Sequence, residues 1–320
     1  MTHLPGILTV VRRSLWQALP STKKSCTWLF KLMIPISLAV TLMQHFGILQ
    51  WLGQYLNAVF VHLGLPGESA VVFLSGATAG TYAGIAAMMS IPLTMKQASI
   101  LATMIALCHA LPMECAVNRM TGSSFWRMAV IRILMALLCA LLLNALLPAM
   151  EGMYLYMGAP AHSSFGQVMA TWAISQAKML VMVFLIVYAL MIVQCLLEAY
   201  SLTQALSRRL SPVMAFFGLP RQSAYMWLVG NVLGISYGSA VMLDLEQRGL
   251  ISRHDANDVN YHLIMNHSML EDTIVFGVTG ISAVLLISVR VSFAFTLVWT
   301  RRLLRFVGRR LRRNYSAMHG

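Results

Sequence analysis

The chain reads as an all-α polytopic membrane protein built from two inverted-topology repeats with re-entrant or discontinuous helices. Three observations carry that reading. Of 320 residues, 58% are hydrophobic and only 10% charged, with a mean hydropathy of +0.72, whereas a soluble domain is about 25% charged. Residues 64–88 match residues 218–242 without a gap. The basic residues collect at particular ends of the apolar segments, which orients those segments across a bilayer.

The first segment, 1–24, carries Leu4, Ile7, Leu8, Val11, Leu15 and Leu19 at helical spacing and is expected to be an amphipathic helix on the membrane surface. Arg12 and Arg13 follow its apolar residues instead of preceding a cleavable core, so it lacks a signal-peptide layout. Spanning helices are expected near 28–47, 68–90, 123–148, 179–197, 222–245 and 280–300. The stretch 179–197 has no charge and, at 1.5 Å per residue, reaches roughly 28 Å, close to the hydrocarbon thickness. These segments divide into a first repeat, 25–148, an external connector, 149–174, a second repeat, 175–300, and a basic cytoplasmic tail, 301–320.

In the repeat, eleven of 25 positions are identical, including Pro66/Pro220 and the glycines Gly76, Gly80 and Gly84 against Gly230, Gly234 and Gly238. Glycine at every fourth residue lines one side of a helix and lets another backbone approach, so these six are expected at helix contacts. At an offset of 158, His109, Glu114 and Arg132 then fall on His267, Asp272 and Arg290. Each half therefore holds a histidine, a carboxylate five residues on, and an arginine eighteen residues after that.

Residues 1–31 contain five basic residues and no acid, and 301–313 contain seven arginines, so both termini are expected in the cytoplasm of a bacterial inner membrane. The connector has Glu151 and neither Lys nor Arg, which places it outside. The segment 202–221 carries Arg208, Arg209 and Arg221, while its counterpart 48–67 carries no Lys or Arg; matching elements therefore face opposite sides. With Lys96 before it and Arg119 and Arg127 after it, 97–122 is expected to enter and turn back at the His109–Pro112 break, with a full crossing left open as the alternative.

Glu114, Glu271 and Asp272 would each cost roughly 2.5 to 3.5 kcal/mol in hydrocarbon if unpaired. They should therefore face a cavity or the cations Arg132 and Arg290. The substrate-binding set is taken as His109, Glu114, His267, Glu271, Asp272 and Asn231, at the interface of the repeats where secondary transporters bind solutes and ions. A coupling ion, proton or sodium, would bind there too. His109, Glu114, His267 and Asp272 also offer mixed donors to a divalent metal as an alternative cargo. The partners implied are the lipid bilayer and a small-molecule or ion substrate, with a homo-oligomer left open. Nucleic acid is excluded because the +13 charge is not gathered on a soluble face. No phosphate loop, dinucleotide fingerprint or catalytic triad is legible, so no enzyme activity is expected.

The doubled GLP..SA...L.G...G...G.A.M pattern with its following histidine and carboxylate resembles the nucleoside-recognition, or Gate, domain family of bacterial membrane proteins. Relatives of that kind include the gate regions of ferrous iron transport protein B, the spore maturation proteins and, more distantly, concentrative nucleoside transporters. The resemblance spans about 28–145 and 175–300. It implies an inverted-repeat core with the glycines in packed gate helices and Glu114 and Asp272 at a central site. It leaves three functions open: a permease for a nucleoside-like or other small solute, a divalent-metal permease, and a non-transporting scaffold or sensor. The chain lacks the GTP-binding domain of the iron transporters.

Overall fold

In the computed structural model, residues 7–150, 152–158, 163–200 and 202–319 are described, and they form helices without a named strand. The first half contains α1 (Ile7–His45), α2 (Ile48–Phe60), α3 (Ser69–Ala79), α4 (Thr81–Met88), α5 (Met95–Cys108), α6 (Leu111–Met120) and α7 (Phe125–Leu146). The second half repeats the series as α8 (Phe165–Ala199), α9 (Leu202–Phe216), α10 (Ala224–Leu233), α11 (Ile235–Gln247), α12 (Arg253–Asn266), α13 (Met269–Val278) and α14 (Ala283–His319). Five stretches are long and apolar enough to cross a membrane: Thr9–His45, Met95–Met120, Phe125–Leu146, Phe165–Leu197 and Ala283–Arg310. The protein is a multi-pass membrane protein whose outer helix faces meet lipid.

The surface segment expected over 1–24 does not end at residue 24. From Ile7 onward it continues into α1, and Thr22 satisfies its hydroxyl on the Ala18 carbonyl inside the same helix; Leu4 and Glu151 lie outside the described residues. Helix α1 runs antiparallel to α8, with Tyr188 donating to the Leu15 carbonyl near one end and Ser37 donating to Gln176 farther along.

The glycine repeat has a different physical meaning from a continuous packing stripe. Gly80 and Gly234 take φ of 103° and 94° with extended ψ, a conformation that side chains rarely tolerate, and each ends one helix and starts the next. A Cβ on Gly84 would lie 3.1 Å from the Gly76 Cα, and one on Gly238 would lie 2.8 Å from the Gly230 Cα. Residues eight apart in an unbroken helix are about 12 Å apart along the axis. Thus α3–α4 and α10–α11 are helical hairpins, crossing tightly at Gly76/Gly84 and Gly230/Gly238 and turning at Gly80 and Gly234. The spanning helices expected at 68–90 and 222–245 are corrected accordingly, because neither arm is long enough to cross.

The expected turn-back of 97–122 is corrected as well. Lys96, at the start of α5, donates to the carbonyls of Asn144 and Leu147 at the end of α7, both at 2.9 Å. The end of α6 leads through residues 121–124 directly into the start of α7. Helices α5 and α6 therefore form one broken crossing along the whole of α7, about 39 Å for 26 residues. Lys96 misled the charge argument because it caps the α7 carbonyls instead of marking a membrane face.

Both broken crossings start from capping boxes, Thr94 with Gln97 and Ser252 with Asp255, at the same offset of 158. Both break at a residue in the left-handed region, Ala110 (φ 46°) and Ser268 (φ 50°). The amide of Ala110 donates to the Gly76 carbonyl (3.1 Å) and that of Ser268 to the Gly230 carbonyl (3.2 Å), so each hairpin is tied to the break of its own half. Pro112 does not cause the break, since the second half breaks where Leu270 takes its place.

Loop contacts define two ends of the molecule. At one, Ser123 donates to Asn257, and Arg301 and Arg305 pair with Asp258. At the other, the Met95 amide donates to the Gly152 carbonyl, Tyr154 to Leu93 and Met157 to Met89.

Candidate functional site

At each break a helix ends with free carbonyls and the next begins with free amides, so the pair of dipoles asks for a cation on one side and an anion on the other. Arg132 from α7 supplies the first half's cation: its Nε donates to the Leu107 carbonyl at 3.0 Å while its Nη1 pairs with Glu114, in the first turn of α6. Arg290 from α14 repeats the arrangement. Its Nε donates to the Met265 carbonyl at 3.1 Å, its Nη2 to the His267 carbonyl, and its Nη1 lies 2.9 Å from Asp272 Oδ2. Both guanidiniums are fully buried.

The two half-sites meet. His109 Nδ1 is 3.2 Å from Glu114 Oε1, and its Nε2 is 3.3 Å from Asp272 Oδ2, so one imidazole spans the acids of both halves. Nε2 of His267 lies 3.0 Å from Glu114 Oε1, and its Nδ1 lies 2.7 Å from the Leu263 carbonyl. The two rings are 4.8 Å apart at their centroids. His109, Glu114, His267, Asp272, Arg132 and Arg290 thus form one buried network.

Glu271 stands at its edge, half-buried, accepting from Tyr82 Oη at 2.9 Å. Thr81 Oγ1 donates to Asp272 Oδ1 at 3.0 Å. Thr81 and Tyr82 begin α4, just past the hairpin turn, and reach across to the other half's acids. Sequence reading missed both; the signal available was their place directly after Gly80, where an N-terminal helix turn points its side chains at whatever the break holds. Asn231, expected in the binding set, is spent elsewhere: its Nδ2 donates to the Trp227 carbonyl one turn back in α10.

Above the network lies a cleft with about 240 Å³ of free space, lined by Trp28, Tyr82, His109, Glu271, Asp272 and Tyr237 among others. A larger groove of about 570 Å³ shares Trp28, Leu29, Leu233, Tyr237 and Glu271 with it and extends along α1 and α8 to Ser21 and Lys24. The lining they share mixes the aromatic faces of Trp28 and Tyr237, which stack against flat rings, with the Glu271 carboxylate, which accepts from hydroxyl and amino groups. One donor atom from each of His109, Glu114 and His267 also falls within 4.8 Å of the others, close enough to share a cation.

A family model described as Gate, nucleoside recognition, matches residues 26–124. The uncharacterized membrane protein YvoD of Bacillus subtilis (strain 168) is 31% identical over 278 residues, which cover 85% of this chain and 88% of that protein. No solved structure matches. Carried by a relative that spans nearly its whole length and by the match over its first hairpin and broken crossing, the chain belongs to the Gate, or nucleoside-recognition, family of membrane proteins.

Proposed function

We propose that the protein is a permease, not an enzyme, that carries a small polar solute of nucleoside-like class by alternating access between two inverted repeats. The observation that carries this reading is the cleft whose floor is a charged network drawn from both halves. A site shared by two repeats changes exposure when one rocks against the other.

Parity supports the inversion. In the first half α1, α5–α6 and α7 make three crossings while α3–α4 doubles back; in the second half α8 and α14 are apolar enough to cross, and α12–α13, more polar than the five apolar stretches, is counted as the third because it repeats the capping box, break and buried arginine of α5–α6. An odd number of crossings sends the second half in the opposite direction. With the termini in the cytoplasm, Arg119, Arg127, Arg208, Arg209, Arg248 and Arg253 all fall on the cytoplasmic side of a bacterial inner membrane. The groove toward Lys24 would then open the site inward.

A divalent cation fits the network less well as cargo. Arg132 and Arg290 already occupy the two carboxylates and place two positive charges beside any metal held by His109, Glu114 and His267. A scaffold role would not need the acids at all.

The test is counterflow of labelled uridine and adenosine in proteoliposomes, with thermal stability measured alongside. Wild type is expected to exchange at least one of them, and Glu114→Gln/Asp272→Asn is expected to fold and lose exchange. Full exchange by that double variant would sink the proposed site, and no exchange of any nucleoside by wild type would sink the solute class.

A further inference from the structure

One buried polar feature reaches the network from outside it. Glu114 and Asn118 on α6 and Thr121 just past its end share a face at spacings of four and three residues; Asn257 and Asn260 on α12 and His267 just past its end share another at spacings of three and seven. The faces are joined at both ends. At the outer end Asn260 Nδ2 donates to Thr121 Oγ1 (2.8 Å) and to Ser123 Oγ (2.9 Å), and Ser123 Oγ donates to Asn257 Oδ1 (2.8 Å). At the inner end stands the Glu114–His267 contact. Between them Asn118 is fully buried, and neither its amide nitrogen nor its amide oxygen has a hydrogen-bond partner among the described residues; Asn260 Oδ1 lacks one too. Buried amide groups persist where a polar species satisfies them, and water is the smallest such species.

The other half does not repeat the feature. At the positions equivalent to Asn118 and Asn260 stand Phe276 and Ala102, both fully buried and apolar. The seam is therefore not demanded by the fold, and it leads to the pair from one end only.

What waits at its inner end is a proton-holding pair. The Leu263 carbonyl only accepts, so Nδ1 of His267 carries a hydrogen. An ionised Glu114 also only accepts, so the contact between Nε2 and Oε1 requires a hydrogen on one of them. Together with His109, whose two nitrogens face Glu114 Oε1 and Asp272 Oδ2, the pair can hold a proton beyond a neutral ring and a carboxylate. Facing it are His109 from the α5–α6 break, Asp272 from α13, Arg132 from α7 and Arg290 from α14, with Glu271 and Tyr82 beyond Asp272.

We propose that Asn118, Thr121, Ser123 and Asn260 line a hydrated path by which a proton reaches the Glu114–His267 pair from the end of the molecule carrying residues 121–124 and 252–258. This rests on the permease reading and adds the coupling ion and the side it comes from. Along the path, hydronium at the mouth gives up a proton and becomes water, and the pair, as a neutral ring and a carboxylate, gains that proton as an N–H or O–H bond; release reverses the step.

The first measurement is thiol reactivity in proteoliposomes of the full chain freed of its five native cysteines. With silver ion as probe, Asn118→Cys is expected to react at least tenfold faster than Phe276→Cys, and only from the face of residues 121–124. Thr121→Cys, on the same seam, serves if Asn118→Cys does not fold. Equal rates, or reaction from the opposite face, overturn the path. The second is infrared spectroscopy on transfer into heavy water, following the bands that Glu114→Gln or His267→Gln removes. Their deuteration is expected to slow tenfold or more in Asn118→Leu, and an unchanged rate overturns the proposal. Neither readout involves solute exchange, so failure here is distinct from failure of the permease reading.

Discussion

Replacing Arg290 by Met isolates what the buried guanidinium does. The side chain meets three acceptors: the Met265 carbonyl, the His267 carbonyl and Asp272. Losing the ion pair strands a buried carboxylate at roughly 3 to 5 kcal/mol. Each orphaned carbonyl at the end of α12 adds about 1 to 3 kcal/mol, less whatever water recovers. Because the three contacts share one group, these terms do not sum fully, and a net loss of about 4 to 6 kcal/mol is expected. Arg290→Lys is expected to lose about 2 to 4 kcal/mol, since an ammonium on a flexible stem cannot reproduce the planar fork. Arg290→Met/Asp272→Asn is expected to recover about 1 to 3 kcal/mol over the single variant, because the stranded charge is gone while the carbonyls stay unpaired. The assay is reversible unfolding in mixed micelles by titration with a denaturing detergent. A loss below about 1 kcal/mol in Arg290→Met, or no recovery in the double variant, would refute the account of the break as a dipole gap closed by this cation.

The hairpin crossings make a sharper steric forecast. Gly238→Ala sets a Cβ 2.8 Å from the Gly230 Cα, which is backbone and cannot swing aside, so a net loss of about 1 to 3 kcal/mol is expected despite the helix propensity gained. Gly277→Ala meets nothing within 4 Å and should stay within about 0.5 kcal/mol of wild type or exceed it, by the same unfolding assay. For Gly80→Ala the nearest atom is 3.9 Å away, yet φ of 103° should cost about 1 to 3 kcal/mol; a neutral result would show that the turn relaxes. Reporter fusions after Met157 should appear outside, and those at Arg208 and after Arg313 inside; an external Arg208 would end the inverted arrangement.

Much of this was legible because membrane helices and repeats write themselves in composition and identity. His109, Glu114 and Arg132 with their partners His267, Asp272 and Arg290 were found from their recurrence alone, and the structure brings all six together. What was misread is which segment turns back. The glycines at every fourth position looked like one helix face, since sequence spacing cannot distinguish a stripe from a turn flanked by two contacts. Arm length would have helped: eleven and eight residues on either side of Gly80 reach only about 16 and 12 Å. Pro112 and Lys96 pulled the turn to the wrong place, because a proline at the second position of a helix is tolerated and a lysine at a helix end is as readily a cap as a topological signal. Asn231 turns its amide nitrogen onto the preceding turn, as amides in apolar helices do, and is not among the residues lining the cleft. Asn118 and Asn260 escaped notice because only the meeting of α6 with α12 gives them a common surface.

The hydrogen bonds from Ala110 to Gly76 and from Ser268 to Gly230 make each hairpin and the interrupted helix of its own half a single lever. If one half tilts, its hairpin cannot lag behind. The contacts that reach across at this level are Tyr82 on Glu271, Thr81 on Asp272, His109 on Asp272 and His267 on Glu114. Any relative motion of the halves is therefore borne by these side chains and not by the hairpin turns.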